Sequence, residues 1–155
     1  MPEFVIGSKE LEALLKKLPE RVAEKVTLGA LRTGGRVIAK AARDSVRASP
    51  AVDSGMLEKS ITTRTRKSGR AKSAPKIVSV GVARKTAMVV RKGRKKATKA
   101  SPARYAHLVE FGTENMPAEP FLRPAVELKG EEAIKRIMEA LGRGVDREAR
   151  KLAGK

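Results

Sequence analysis

The side chains able to do chemistry in this sequence are few, and they fall into small groups. His107 and Glu110 stand three residues apart, so on a helix they share a face, the placement of a general acid–base pair. A single histidine so placed usually packs or caps, and that is the reading adopted for it. Glu110, Glu114 and Glu119 carry oxygen ligands of the kind a divalent cation takes. No one rigid element holds all three, so ion pairing with the abundant arginines is expected instead. Gly29 and Gly34 have the spacing of a phosphate loop, but Gly35-Arg36 stands where that loop needs lysine and a hydroxyl residue. Gly142-Arg143-Gly144 opens like a dinucleotide fingerprint and lacks its third glycine. No catalytic set, metal cage or cofactor cradle emerges.

Composition points the same way. The chain has no cysteine, hence no disulfide framework, thiolate zinc site or cysteine nucleophile, and one histidine cannot build a His-rich cage. The expectation is a protein that is not an enzyme and takes no cofactor. No run reaches the ~18 apolar residues of a membrane span. Residues 1–6 have no basic region ahead of an apolar stretch, so no secretion signal is read and a soluble, cytosolic chain is expected.

Charge is the informative feature. Lys and Arg number 35 against 17 Asp and Glu, a net +18. Residues 1–58 balance at +2 and residues 110–155 at zero, whereas residues 59–109 hold sixteen basic side chains and no acidic one. The flanking thirds solubilise themselves with mixed charge. A long acid-free stretch makes sense beside phosphate or an acidic surface. Only Phe4, Tyr105, Phe111 and Phe121 are aromatic, and none lies between 59 and 104. The stacking platform of single-strand and RNA binders is therefore missing, and any nucleic-acid contact is expected to be with duplex phosphates.

Elements must position these residues, and the hydrophobic pattern supplies them. Ser8 is a candidate N-cap for a helix over 9–18, where Leu11, Leu14, Leu15 and Leu18 keep helical spacing. Pro19 suits the first turn of a long helix ending near Ala48. Its narrow apolar face is Val22, Val26, Ala30, Val37, Ala41 and Val46, and Gly29, Gly34 and Gly35 each cost it about 1 kcal/mol relative to alanine. Small residues on that face imply close approach by another element, in this or a neighbouring subunit, unless the helix breaks at Gly34-Gly35.

Strand patterns follow over 59–66, over 76–82 with Val78, Val80 and Val82 on one side, and over 87–90. Their short spacing favours an antiparallel meander. Residues 91–99 read RKGRKKATK and mark a mobile basic loop spanning about 84–102. Ser101-Pro102 opens a short helix that Gly112 stops. A C-terminal helix is expected over 121–141 with Val126, Ile134, Ile137, Met138 and Leu141 as its apolar side, and Gly130 as a candidate break. Residues 142–155 are expected to fray. The length fits a single domain over 1–155 with its core at about 8–141.

The segment 105–125, YAHLVEFGTENMPAEPFLRPA, concentrates three of the four aromatics and three of the eight prolines. YAHLVEFGT followed by PAEPFLRPA resembles the signature of neck proteins of long-tailed bacteriophages, the tail-completion or head–tail joining family. The run VDSGMLEKSI at 52–61 resembles that family's second mark, and the likeness covers roughly residues 10–140. The departure is the long basic stretch at 84–104. The resemblance implies a small α+β subunit without catalysis, its long N-terminal and C-terminal helices packed on a small antiparallel sheet of three to four strands.

It also implies a structural virion protein, assembled in the host cytoplasm and seated at the head–tail junction. Such a subunit forms a homo-oligomeric ring with other neck proteins (adaptor or stopper, tail terminator or tail tube), around double-stranded DNA. By this likeness Asp53, Gly55, Leu57, Tyr105, His107, Glu110, Phe111, Gly112, Pro120, Phe121, Arg123 and Pro124 serve core and interface. Arg64, Arg66, Lys67, Arg70, Lys72, Arg91, Lys92, Arg94, Lys95, Lys96 and Lys99 are the candidates for facing DNA or an acidic partner. The competing reading, from composition alone, is a small basic protein binding double-stranded nucleic acid outside a virion.

Overall fold

The spine of the molecule is a pair of long helices, one from each end of the chain. The computed structural model describes residues 19–49, 55–69, 75–84, 87–89 and 98–153, together with Glu12 and Lys16. Helix α1 is Glu20–Ala48, entered from Pro19, whose carbonyl accepts the N–H groups of Val22 and Ala23. A short helix α2, Met56–Ser60, leads into strand β1, Ile61–Lys67, and β2 is Lys76–Val82. Strands β3, Ala87–Val89, and β4, Thr98–Ala100, precede helix α3, Pro102–Phe111, and the last helix, α4, is Leu122–Ala153. The expected Ser8 cap and the leucine face at 11–18 lie outside the described residues, except that Glu12 and Lys16 are helical and form an i, i+4 ion pair at 2.8 Å.

The glycines of α1 explain how the spine is built. A Cβ on Gly34 would sit 2.5 Å from Ile137 Cγ1 and 2.9 Å from the Ala133 carbonyl oxygen. One on Gly144 would sit 2.6 Å from Val26 Cγ1. Early α1 therefore lies against late α4, and the two helices run antiparallel along a seam of Ala30, Gly34, Ala42, Ala125, Ala133 and Gly144. The close approach foreseen for the small residues is made within the chain. Helix α1 does not break at Gly34-Gly35, nor α4 at Gly130, because tertiary packing outweighs the propensity cost.

Three expectations need correction. The strands do not form one sheet: β1 pairs antiparallel with β2, and β3 with β4, as two separate two-stranded ribbons. Alternation nominates strands but does not say which edges meet; β3 falls where a strand is expected over 87–90, whereas β4 lies in the stretch expected to be a mobile loop. Of the expected frayed tail over 142–155, the described part, 142–153, is helical, since α4 continues to Ala153 with Gly144 and Val145 buried against α1. Finally, the apolar side of α4 is displaced in its first half only, since Met138 and Leu141 are half-buried as expected. Ala125, Ala133 and Val145 are buried and Ile137 is half-buried, whereas Val126 and Ile134 are each 54 % exposed.

The main core gathers at the α1 C-terminal half. Ala39, Ala42 and Val46 meet Leu57, Ile61, Ala106, Phe121 and Ala125, with Val80, Val82, Tyr105 and Val109 around them. Phe121, Leu57 and Ile61 are the largest side chains fully enclosed there, each contributing about 1.5–3 kcal/mol by burial.

Candidate functional site

Two features stand out: the outward face of the β1–β2 ribbon, and the joint between α3 and α4. The ribbon is in register from Ile61 opposite Val82 to Lys67 opposite Lys76. Strand periodicity splits it into two faces. The inner face lies on α1: Thr63 touches Gly35, Arg32 Nε donates to Thr65 Oγ1 at 2.9 Å, and Lys76 pairs with Glu24 at 3.0 Å. Arg43 closes the far end, its Nε and Nη2 donating to the Ile61 carbonyl at 3.1 and 2.7 Å. The outer face then carries Thr62, Arg64 and Arg66 from β1 and Ile77, Ser79 and Gly81 from β2. Arg64 and Arg66 are exposed, and no carboxylate reaches either among the described residues.

The joint accounts for the 105–124 motif. Phe121, Leu122 and Arg123 present the free N–H groups of the α4 N-terminus, and the fourth position is Pro124, which has none. All three N–H groups donate to one side chain: Phe121 and Leu122 to Glu110 Oε2 at 2.9 and 3.0 Å, and Arg123 to Glu110 Oε1 at 3.1 Å. A carboxylate there also faces the positive end of the helix dipole.

Gly112 lets the chain turn back. Its φ is +76°, and a Cβ would fall 2.7 Å from Ala118 N and 2.9 Å from the Met116 carbonyl oxygen, so only glycine fits. Thr113 and Met116 exchange backbone bonds, and Glu119 N–H donates to the Val109 carbonyl at 2.8 Å. Ser49 Oγ donates to Glu119, tying the loop to the end of α1. An open cleft lies beside this contact, lined by Val46, Val109, Glu119, Pro120 and Phe121.

The remaining family-mark residues divide between core and surface. Leu57 and Phe121 are each 2 % exposed, Tyr105 packs half-buried on the core, and Pro124 is half-buried in the first turn of α4. Gly55 takes a left-handed φ of +61° at the start of α2. His107, Pro120 and Arg123 are exposed, and Phe111 projects with 69 % of its surface free. His107 and Glu110 are not engaged as a pair, since the Glu110 oxygens are taken by α4.

Of the basic candidates, Arg64, Arg66 and Lys67 lie on β1 and Lys99 on β4 opposite Met88. Asp53, Arg70, Lys72, Arg91, Lys92, Arg94, Lys95 and Lys96 lie outside the described residues. Among the described residues, no group of His, Asp and Glu is placed to hold a metal ion. No helix among them is long and apolar enough to cross a membrane.

Sequence reasoning missed the capping role of Glu110, and a signal was available. Phe121 stands where a helix start normally has Ser, Thr, Asp or Asn, so the acceptor had to come from elsewhere. Arg47 was missed too. Its guanidinium donates to Glu58 Oε1, at 2.5 Å from Nη2, and that hydrogen bond holds the Glu58 carboxyl below the usual range and raises Arg47. Lys129 and Lys151 lower Glu132 and Glu148 in the same way.

Fold and joint together define a small α+β protein whose helical spine carries a basic two-stranded ribbon. Residues 9–112 match a family model described as "Bacteriophage HK97-gp10, putative tail-component", and the chain belongs to this HK97-gp10-like family. The matched span takes in the VDSGMLEKSI mark and YAHLVEFG, and ends before PAEPFLRPA and α4. Comparison with curated proteins and with solved structures gives no match.

Proposed function

We propose that this phage tail component is a neck subunit that joins head to tail as a homo-oligomeric ring around the genome path. The role involves no catalysis. Its basic middle third meets negative partners: double-stranded DNA in the lumen and acidic faces of neighbouring neck proteins. The observation carrying this reading is the segregation of charge, sixteen cations without one anion over residues 59–109, beside two thirds that are nearly neutral. Family membership supports the virion context, and Arg64 and Arg66 are exposed, with no ion-pair partner among the described residues. Repeated around a ring, this charge forms a collar whose field extends about 8 Å at physiological salt.

Native mass spectrometry and negative-stain images of the purified chain, alone and with the adjoining neck proteins, test the assembly. A closed ring is expected. A persistent monomer binding duplex DNA with a steep salt dependence would instead favour a free nucleic-acid-binding protein. Replacing Arg91, Lys92, Arg94, Lys95 and Lys96 by Gln tests the lumen. Folding should be kept while DNA retention or infectivity of assembled particles falls, and full function would remove the lumenal role.

A further inference from the structure

Over residues 125–134, helix α4 buries its alanines and exposes its larger apolar side chains. Ala125 and Ala133 are 0 % and 6 % exposed, while Val126, Leu128 and Ile134 are 54 %, 78 % and 54 % exposed. Glu127, Glu131 and Ile134 follow i, i+4, i+7 spacing and share the outward face, with Leu128 beside them. Glu127 and Glu131 are exposed, and neither has an ion-pair or hydrogen-bond partner among the described residues. The exposed cations Arg123 and Lys135 bound this patch one turn to either side.

The outer face of the β1–β2 ribbon is its counterpart in sign. Ile77, 37 % exposed, lies opposite Arg66, and Arg64 lies opposite Ser79. Two residues apart on a strand, the arginines are spaced by about 7 Å. One turn apart on a helix, the glutamates have Cβ atoms about 6 Å apart.

We propose that these two faces meet in the ring: the outward face of α4 of one copy seats on the outer ribbon face of the next. Leu128 and Ile134 cover Ile77, and Glu127 and Glu131 pair with Arg64 and Arg66. This deepens the ring reading and rests on it. A closed ring needs two unlike, matching patches on every subunit, and these two have opposite charge around an apolar centre. A two-fold contact of α4 on itself, centred on this patch between Glu127 and Glu131, would set glutamate against glutamate and Arg123 against Lys135. A DNA duplex on the ribbon would leave Ile77 against phosphates with no apolar match. The second copy satisfies both, and the basic stretch at 91–99 is left for the lumen.

The test is charge exchange in the full-length chain, read as assembled mass by native mass spectrometry and sedimentation over a concentration series. Glu127→Arg with Glu131→Arg, and separately Arg64→Glu with Arg66→Glu, should each raise the concentration for half-assembly at least about tenfold, since like charges then oppose at two places. All four substitutions together should restore most of the loss. Leu128→Ser with Ile134→Ser should weaken assembly without altering the monomer's denaturation midpoint. Assembly indifferent to every variant, or a quadruple variant no better than either double, overturns this contact while leaving the ring reading in place. A wild-type chain that stays monomeric overturns both.

Discussion

Removing the Glu110 carboxylate tests whether one side chain holds the α3–α4 joint. In Glu110→Ala, Phe121, Leu122 and Arg123 lose the acceptor their N–H groups have among the described residues. Loss of an N-cap costs about 1 kcal/mol. Loss of a charge at the positive end of a helix costs about 0.3–1 kcal/mol. The bonds of Phe121 and Leu122 are part-buried, so water replaces the carboxylate poorly, and an orphaned buried N–H costs about 1–3 kcal/mol. Arg123 N–H is exposed and adds little. The total is about 2–5 kcal/mol for Glu110→Ala, and about half that for Glu110→Gln, which keeps one acceptor. For a chain of this size the alanine variant should melt about 6–15 °C lower. Urea denaturation followed by far-UV circular dichroism gives the midpoints. His107→Ala, an exposed neighbour on the same helix, is the control and should stay within about 0.5 kcal/mol. If Glu110→Ala stays within that range too, the cap contributes nothing and the account of this motif is wrong.

Other perturbations have signs that the structure fixes. Gly29→Ala meets nothing within 4 Å and should gain about 0.5–1 kcal/mol of stability, whereas Gly34→Ala collides with Ile137 and the Ala133 carbonyl and should lose about 1–2 kcal/mol net; matching signs in denaturant midpoints would contradict the seam. Phe121→Ala should cost about 3–5 kcal/mol, and a change within 0.5 kcal/mol would show that the ring is not enclosed. The Glu58 carboxyl is held low by the Arg47 hydrogen bond, so its contribution is present above the unfolded carboxyl pKa and lost as pH falls through the folded value. The stability gap between wild type and Glu58→Gln should therefore be seen at pH 7 and close below about pH 4. A gap independent of pH would assign the effect to packing instead.

Long-period patterns in the sequence were legible, and pairings were not. Helix α1 is bounded as its proline and apolar spacing indicate, α3 lies between Ser101 and Gly112, and β2 coincides with its alternating valines. The start of β1 was misplaced because Gly55 opens a helical turn, fixed by buried Leu57 and by Ser60 Oγ donating to the Leu57 carbonyl at 2.8 Å. Pairing of β3 with β4 rather than with β2 rests on which edges meet in space, and no local pattern encodes that. Glu110 was read against its helical neighbour His107, although its partners lie eleven to thirteen residues away, across a turn that only Gly112 permits.

The outward turn of Val126 and Ile134 on α4 was hidden for a different reason. A hydrophobic pattern identifies the side of a helix that leaves water, and assumes that the largest apolar residues choose it. Here closeness of backbones sets the packing, so the seam selects Ala125, Ala133 and Gly144, and Val126 and Ile134 are turned away. The same substitution of small for large that draws α1 and α4 together thus leaves aliphatic surface outside. A sequence whose buried seam is built from alanine and glycine has to be read twice: once for where its backbones touch, and once for what its displaced larger side chains are free to meet.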